Sequence, residues 1–438
     1  MAAAQDAPFT EEDLQGFKYL KLLQPMLLRR HDAATKRDFA GNRCLFFDHE
    51  VALLLRYFFN PVVTSLRSVQ KASSLKKVQR LLGCGRAALG SLSEASRVFD
   101  ADLLEPLLAE LVQRLPPGRR DPEARLLQGL TAVDGTLLDA LPKMAWALWL
   151  DDEHRAVKVH LQFEVLRNVP VQFTLSDANT SEKAVLQAHL QAGRLHVADA
   201  GYVKYALFQA ILDAGSSFVI RLGRMPTEEV LEERSVTDAA RAAGVVADRL
   251  VRLVRLGSPS RGGALTRTVR LVEVVSQGRD GPQTLRLVTD RLDLPAEVVA
   301  SAYRYRWQIE LFFRWFKCVL GGKHLLSTSA NGMRIQIYVA LIVGLLISLW
   351  TGRKPSKRTL EMIQFYLGGW ASEQELWAHI QSLPPQPSVV TRGDSLDRTR
   401  GTASPCALVA RPRNDTPASH PREPEPAAPT LVTSDETA

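Results

Sequence analysis

Apolar and polar positions along the chain change period three times. Over residues 11–128 apolar residues recur every three or four positions. Phe17, Leu20, Leu23 and Leu27 share one helical face, and Val51 to Phe59 is a second apolar run closed by Asn60-Pro61. That spacing predicts helices. Between Ser73 and Phe99 a helix, a Gly-containing turn and a small-residue helix follow one another, and Ser91 with Glu94 has the spacing of a capping box opening a further helix. Pro116-Pro117-Gly118-Arg119-Arg120 reads as a linker.

Beyond the linker the period becomes two. Leu126 to Val133 predicts a strand ending at Asp134-Gly135-Thr136. Ala156 to Phe163 alternates, with Val157, Val159, Leu161 and Phe163 on one face and Lys158, His160 and Gln162 on the other. Pro170 to Leu175 is a third strand, Ser181 to Ala192 a helix, and Leu195 to Ala198 a fourth strand that ends at Asp199-Ala200-Gly201-Tyr202. Another helix and a strand over Ser217 to Leu222 complete an α/β order of three strands, helix, strand, helix, strand, the order of an RNase H-like core. Residues 223–298 alternate again over Arg249 to Leu256, Leu265 to Ser276 and Thr284 to Arg291, with turns at Gly257 to Gly263 and Gly278 to Pro282. This predicts an inserted β-rich subdomain. Residues 299–383 return to helix, including one over Thr359 to Leu383. Ile337 to Trp350 is apolar over only 14 residues, short of the roughly 18 that a bilayer needs, so it reads as a buried core helix. The last stretch, 384–438, is rich in Pro, Ser, Thr and Ala without apolar period and predicts disorder. There are no internal repeats.

One helix stands out. Tyr303 to Lys317 places Tyr303, Arg306, Glu310, Arg314 and Lys317 within an arc of about 80°, and Ile309, Phe312, Phe316, Val319 and Leu320 opposite. A single carboxylate thus sits in a row of cations backed by an apolar stripe. A salt-bridged surface helix would look the same, but from Ser301 to Leu360 there are ten Lys/Arg and one acid, Glu310. Residues 51–100 carry eight Lys/Arg against Glu94 and Asp100, and the chain of 438 residues has net charge +8. That balance favours an anionic partner, nucleic acid before a membrane surface. Four scattered cysteines, 44, 84, 318 and 406, form neither a disulfide framework nor a zinc pattern. They suit a reducing, cytoplasmic setting. Met1 to Thr10 has no signal-peptide character.

Tyr303-x2-Arg306-x3-Glu310-x6-Lys317 resembles the Y-R-E-K signature of the insertion-sequence-4 family of DDE transposases at all four positions. The resemblance implies that Glu310 is the third carboxylate of a catalytic triad. It also implies that Tyr303, Arg306 and Lys317, with Arg314 on the same face, hold the phosphates of the transposon end. Asp134 and Asp199 fall where the first two carboxylates are expected, after the first and fourth strands. The chemistry agrees with the residue types. Phosphodiester cleavage by this route uses two divalent metals, and hard Mg²⁺, or Mn²⁺, takes carboxylate oxygens with the substrate phosphate completing its shell. Asp134 would bridge both metals, with Asp199 and Glu310 each holding one.

The family likeness extends to Asp134-Gly135-Thr136 and, less closely, to Asp199-Ala200-Gly201-Tyr202, where Ala200 stands in place of the common Arg. His160 reads first as a structural partner on the sheet. The 110 residues between Asp199 and Glu310 match the family's insertion, whose Arg252, Arg255, Arg267, Arg270 and Arg286 either line DNA or form a charged sheet surface. Some relatives use an inserted aromatic to stabilise a flipped base; no Trp lies between Leu150 and Arg306, so the resemblance does not carry that detail over. The helical region 1–118, with Lys76, Lys77, Arg80 and Arg86, resembles the family's helix-turn-helix-like DNA-binding part. The expected organisation is 1–118 helical, 122–222 the first part of an RNase H-like core, 223–298 inserted, 299–383 the C-terminal helices of the core, and 384–438 a tail. The resemblance implies a bacterial cut-and-paste transposase associated with the nucleoid. It binds the terminal inverted repeats and target DNA as double strands, works as a homodimer in a synaptic complex, and has no membrane partner. Two other classes stay open: a DNA-binding protein that has lost catalysis, and an RNase H-like nuclease without strand transfer.

Overall fold

The computed structural model describes residues 17–31, 44–83, 85–119, 121–141, 143–148, 154–223, 228–253, 267–278, 281–321 and 325–383. Among them, nine strands make one mixed sheet. The first five are β1 (Leu130–Asp139), β2 (Ala156–Glu164), β3 (Val169–Asp177), β4 (Leu195–Ala198) and β5 (Ser217–Leu222). The other four are β6 (Glu228–Glu233), β7 (Val245–Leu253), β8 (Val269–Gly278) and β9 (Gly281–Thr289). Their order across the sheet is β3-β2-β1-β4-β5-β9-β8-β7-β6. β1 pairs antiparallel with β2 from Thr131↔Glu164 to Asp139↔Ala156. On its other edge it runs parallel to β4, with Leu130↔Leu195 to Ala132↔Val197, and β4 runs parallel to β5.

β1 differs from its sequence reading at both ends. Residues 122–126 turn as a short helix because Asp121 accepts from the Ala124 N–H at 3.0 Å and Pro122 occupies the first turn. At the other end β1 does not stop at Asp134. β2 keeps pairing along it to Asp139, so Asp134 sits mid-strand.

The strands of 223–298 do not stand as a separate sheet. β9 pairs with β5 from Val219↔Thr289 to Leu222↔Arg286, and β8, β7 and β6 follow outward. β6, with sequence EEVLEE, carries no apolar alternation to predict it. It is held by the backbone ladder and by Arg252–Glu229 at 2.9 Å and Arg249–Glu233 at 2.7 Å. Of the five arginines singled out in this stretch, Arg270 is buried against Asp248 at 2.7 Å, Arg286 pairs with Glu228 and Glu273, and Arg267 is exposed. Arg255 and the turn at 257–263 lie outside the described residues.

The helices before the sheet are α1 (Phe17–Leu28), α2 (Phe47–Phe59), α3 (Leu66–Ser73), α4 (Lys76–Leu82), α5 (Leu89–Val98), α6 (Glu105–Arg114) and α7 (Pro122–Leu126). α8 (Glu182–Ala188), α9 (Tyr205–Asp213) and α10 (Asp238–Ala242) lie between strands. The chain then runs through α11 (Ala296–Tyr305), α12 (Trp307–Gly321), α13 (Ala330–Thr351), α14 (Lys357–Leu367) and α15 (Glu373–Ser382). The expected capping box at Ser91 and Glu94 is absent: α5 begins at Leu89, so both residues lie inside it. Capping boxes stand instead at Ser65/Ser68 and Ser372/Glu375. The helix expected over 359–383 breaks in two, with Gly369 at φ +76°.

The apolar run at 337–350 belongs to α13, which is 22 residues long. Ser329 caps it by accepting from the Gly332 N–H at 3.0 Å. By length and composition α13 could cross a membrane, but 89% of its apolar stretch is buried inside the protein. It packs against α2, α6, α12 and β3. Consecutive residues of β1 divide between two cores. Ala132 faces the large one with α13 and the N-terminal helices, and Val133 faces the smaller one with Leu186, Tyr202 and Phe208.

Glu50, on α2, is 4% exposed, and its Oε2 has no hydrogen-bond partner. Burial pushes its carboxyl up to about 8. An acid whose pKa rises on folding holds its proton more tightly in the folded chain, so its contribution is present at low pH. It is lost as pH rises from the ordinary carboxyl range through about 8. Glu50→Gln is therefore expected to flatten the pH dependence of stability across that window. The difference from wild type should grow by up to about 1.4 kcal/mol per pH unit, measured by chemical denaturation at a series of pH values.

Candidate active site

The parallel pairing of β1 with β4 ends at Ala132↔Val197. Two residues further on stand Asp134, still on β1, and Asp199, just past the end of β4, at the same level. β4 has ended at Ala198, so beyond it the β1 edge opens into the crevice at the carboxyl ends of the parallel strands, where sheets of this kind bind ligands. Asp199 opens a short 3-10 turn, Ala200–Tyr202, and its Oδ1 accepts from the Gly201 N–H at 2.8 Å. A Cβ at position 201 would lie 3.0 Å from that oxygen. Asp134 Oδ1 accepts from the Gly135 N–H, also at 2.8 Å.

Burial pushes the Asp134 carboxyl up to about 6. The Gly135 N–H and the Arg306 guanidinium act to lower it, while Asp199 and Glu182 raise it. The aspartates, Glu182 and Arg306 therefore share one electrostatic field.

The helix expected over 303–317 is two helices joined by a tight bend. α11 ends at Tyr305 and α12 begins at Trp307. The Arg306 N–H bonds back to Tyr303 O at 3.0 Å and the Ile309 N–H to Arg306 O at 3.1 Å, the three-residue spacing of a tightened turn. The apolar stripe behaves as expected: Ile309, Phe312, Phe316, Val319 and Leu320 are all buried. α12 rests on β1 and α13. Of the polar row, Arg314 and Lys317 are exposed, Glu310 and Arg306 are half-buried, and Tyr303 is buried. The Arg306 guanidinium lies 5.7 Å from the Tyr303 ring centre and donates through Nη2 to Glu310 Oε1 at 2.5 Å. Its Nε is buried without a hydrogen-bond partner.

Arg306 thus links Glu310 to the field of Asp134. Among the described residues, no three His, Cys, Asp or Glu side chains stand together as a ready metal site. Asp134 and Asp199 offer oxygen donors only, the set that suits a hard divalent cation such as Mg²⁺ or Mn²⁺. Burial raises Asp134 first, and a cation beside the pair would offset the Asp199 and Glu182 charges that add to it. Those two residues fit such an ion, while Glu310 is engaged by Arg306.

Sequence reading missed Glu182. It is the first residue of α8, with Lys158 Nζ at 3.5 Å, and after burial its charge is what most raises the Tyr202 hydroxyl. Its Oε1 lies 2.8 Å from where a Cβ on Gly135 would be. Nothing in the local sequence signals this, because its partners come from β1, β2 and the turn after β4. His160 is buried and bonds Ser176 Oγ at 2.8 Å, with burial and then Lys158 pushing its imidazole down to about 4. It is a neutral sheet partner. Lys76, Lys77, Arg80 and Arg86 are all exposed, the first three on α4 and Arg86 just past its Gly83 cap.

Comparison with known proteins places this geometry. The family model described as "Transposase DDE domain" matches residues 126–346, half of the chain. That span holds both aspartates, Glu182 and the Arg306–Glu310 pair. A protein of Sinorhizobium fredii named as a transposase, y4zB, is 26% identical over 54% of this chain and 64% of its own length. This chain therefore spans just under two thirds of that relative. A protein of Geobacillus stearothermophilus named as the transposase of insertion sequence element IS5377 is 24% identical over 65% of this chain and 73% of its own. A piggyBac transposase synaptic complex with hairpin DNA, solved by cryo-electron microscopy, aligns over 89% of this chain and 86% of that chain. Its identity is 11% and its TM-score 0.38, too loose a likeness to bear on the fold. With the family model covering half its length and the aspartate pair at the crevice of its sheet, the chain belongs to the transposase DDE domain family.

Proposed function

We propose that this protein is a transposase of the insertion-sequence-4 type, bearing the Y-R-E-K signature. On this reading it binds the terminal inverted repeats of its element and catalyses metal-dependent strand cleavage and strand transfer. The observation that carries the reading is the placement of Asp134 and Asp199 side by side beyond the β1–β4 pairing, with the Arg306–Glu310 pair in the same field. β1 to β5 with α8 and α9 then serve as an RNase H-like core, β6 to β9 as the family's insertion built onto its edge, and the helices before β1 as the DNA-binding region. The protein acts as a homodimer on double-stranded DNA in the cytoplasm, without a membrane partner.

Asp134 and Asp199 would hold Mg²⁺, or Mn²⁺, and Glu310 would complete the set. The bound cation supplies positive charge to the attacking and leaving oxygens of phosphodiester exchange. Arg306 has a buried Nε with no partner and a planar fork suited to phosphate. On DNA it turns from Glu310 to a backbone phosphate, which frees the carboxylate. Exposed Arg314 and Lys317 hold neighbouring phosphates, and Tyr303 supports the Arg306 guanidinium from beneath. These interactions position the DNA end without reading its bases.

Asp134→Ala, Asp199→Ala and Glu310→Ala are each expected to lower end cleavage by roughly 10²-fold or more while end binding persists. Cleavage and gel-shift assays on the same preparations decide it. A wild type that binds ends but never cleaves them would mark a DNA-binding protein without catalysis, and cleavage without joining would mark a nuclease.

The raised Asp134 pKa adds a pH dependence. Below about pH 6 the metal-free carboxyl holds a proton that a cation must displace. Mn²⁺ affinity should be full above pH 6 and fall by up to about tenfold per unit below it, as titration calorimetry from pH 5 to 8 would show.

Changing Lys76, Lys77, Arg80 and Arg86 together to Ala should weaken end binding and flatten its salt dependence, by about one in slope for each phosphate that is no longer neutralised. An unchanged slope would place the DNA-binding surface elsewhere.

A further inference from the structure

Glu182 joins three separate parts of the aspartate site. Its Oε1 lies over Gly135, the residue after Asp134 on β1. Its carboxylate faces the hydroxyl of Tyr202, which ends the turn that Asp199 opens, and after burial it is what most raises that hydroxyl. Lys158 Nζ, 3.5 Å away, comes from β2, where Lys158 pairs in register with Leu137 of β1. Tyr202 is 3% exposed, and a buried hydroxyl needs an acceptor, because leaving it unbonded is costly. The glycine at 135 also has a reason here. Its backbone is not left-handed, so no turn requires it. A Cβ would sit 2.8 Å from Glu182 Oε1, however, so any side chain at 135 would push the carboxylate from its place beside Asp134.

We propose that Glu182 is a positioning residue. By bonding Tyr202 and lying on Gly135 it fixes the Asp199 turn against β1, and so sets the separation of the two aspartates that hold the metal. It acts through Tyr202 and Gly135 and does not itself touch the ion. The inference rests on the metal-binding reading of Asp134 and Asp199. Groups that orient metal ligands in this way typically change affinity by about 10–100-fold when removed.

The test is Mn²⁺ binding to the full-length protein without DNA, followed by electron paramagnetic resonance, with melting temperatures on the same samples. Glu182→Ala and Tyr202→Phe should each weaken Mn²⁺ binding by about tenfold or more. Glu182→Gln keeps an oxygen that accepts the Tyr202 O–H, so it should stay within about threefold of wild type. Gly135→Ala should weaken binding by displacing the carboxylate, and the Gly135→Ala/Glu182→Ala double variant should be no worse than Glu182→Ala alone, since both changes act on the same interaction. If Glu182→Ala does not fold, Glu182→Asp carries the test, because the shorter side chain keeps its charge but cannot reach Tyr202. Wild-type Mn²⁺ affinity in folded Glu182→Ala or Glu182→Asp, with only the melting temperature lowered, overturns the proposal. So do Gly135 and Glu182 effects that multiply. Asp134→Asn separates the two levels: if it binds Mn²⁺ as wild type does, the metal reading itself is wrong, whereas its loss of binding alongside unaffected Glu182 variants removes only the positioning role.

Discussion

The short parallel pairing between β1 and β4 is the constraint on which the site depends. Only three residue pairs join them, Leu130↔Leu195 to Ala132↔Val197. That register alone decides that Asp134 and Asp199, 65 positions apart in the chain, stand at one level. A slip by one residue would turn every side chain of β1 to the opposite face. Ala132 would leave the large core and Val133 the small one. The two cores, filled from opposite faces of the same strand, therefore hold the aspartates in place.

Onto this frame the chain brings a strongly basic segment, and the structure uses its charge sparingly. Arg306 is drawn into the acidic field, held against Tyr303 and bonded to Glu310. Arg314 and Lys317 stay in solvent. The bend at Arg306 matters here. A straight helix would carry Tyr303 along the same exposed row, whereas the tightened turn leaves Tyr303 buried and sets Arg306 over its ring. By contrast, several arginines of β7 to β9 are already neutralised by Glu and Asp on neighbouring strands. Charge counting along that stretch overstates what it can offer an anionic partner.

Position in the sheet likewise decides what an apolar run means. α13 is apolar enough for a membrane, but it lies among α2, α6, α12 and β3, and its apolar side chains complete the large core. α12 is fixed between that helix and β1 by Phe312 and Phe316, and Phe312 packs on Phe163 of β2 with ring centres 4.9 Å apart. The helix that carries Glu310 is thus seated by aromatic packing, independently of its charged face.

The sequence by itself determined the elements whose local signal is strong. β4 and β5 fall on the residues expected for them, because short apolar runs bounded by Gly, Asp and Ser leave little choice of ends. The apolar stripe of α12 and the buried helix at 337–350 were likewise legible from period alone. So were both aspartates and Glu310 as chemical candidates, because their motifs are local. What only the tertiary structure decided are the features that need a partner distant in sequence. These are the run of β1 past Asp134, set by β2; the strand EEVLEE, held by arginines from β7; the seam of β9 on β5 that makes one sheet; and the break at Arg306. Glu182 is the sharpest case. Its neighbours Gly135, Lys158 and Tyr202 lie up to 47 positions away in the chain, and local spacing carries no information about side chains that meet only when a helix closes over a sheet.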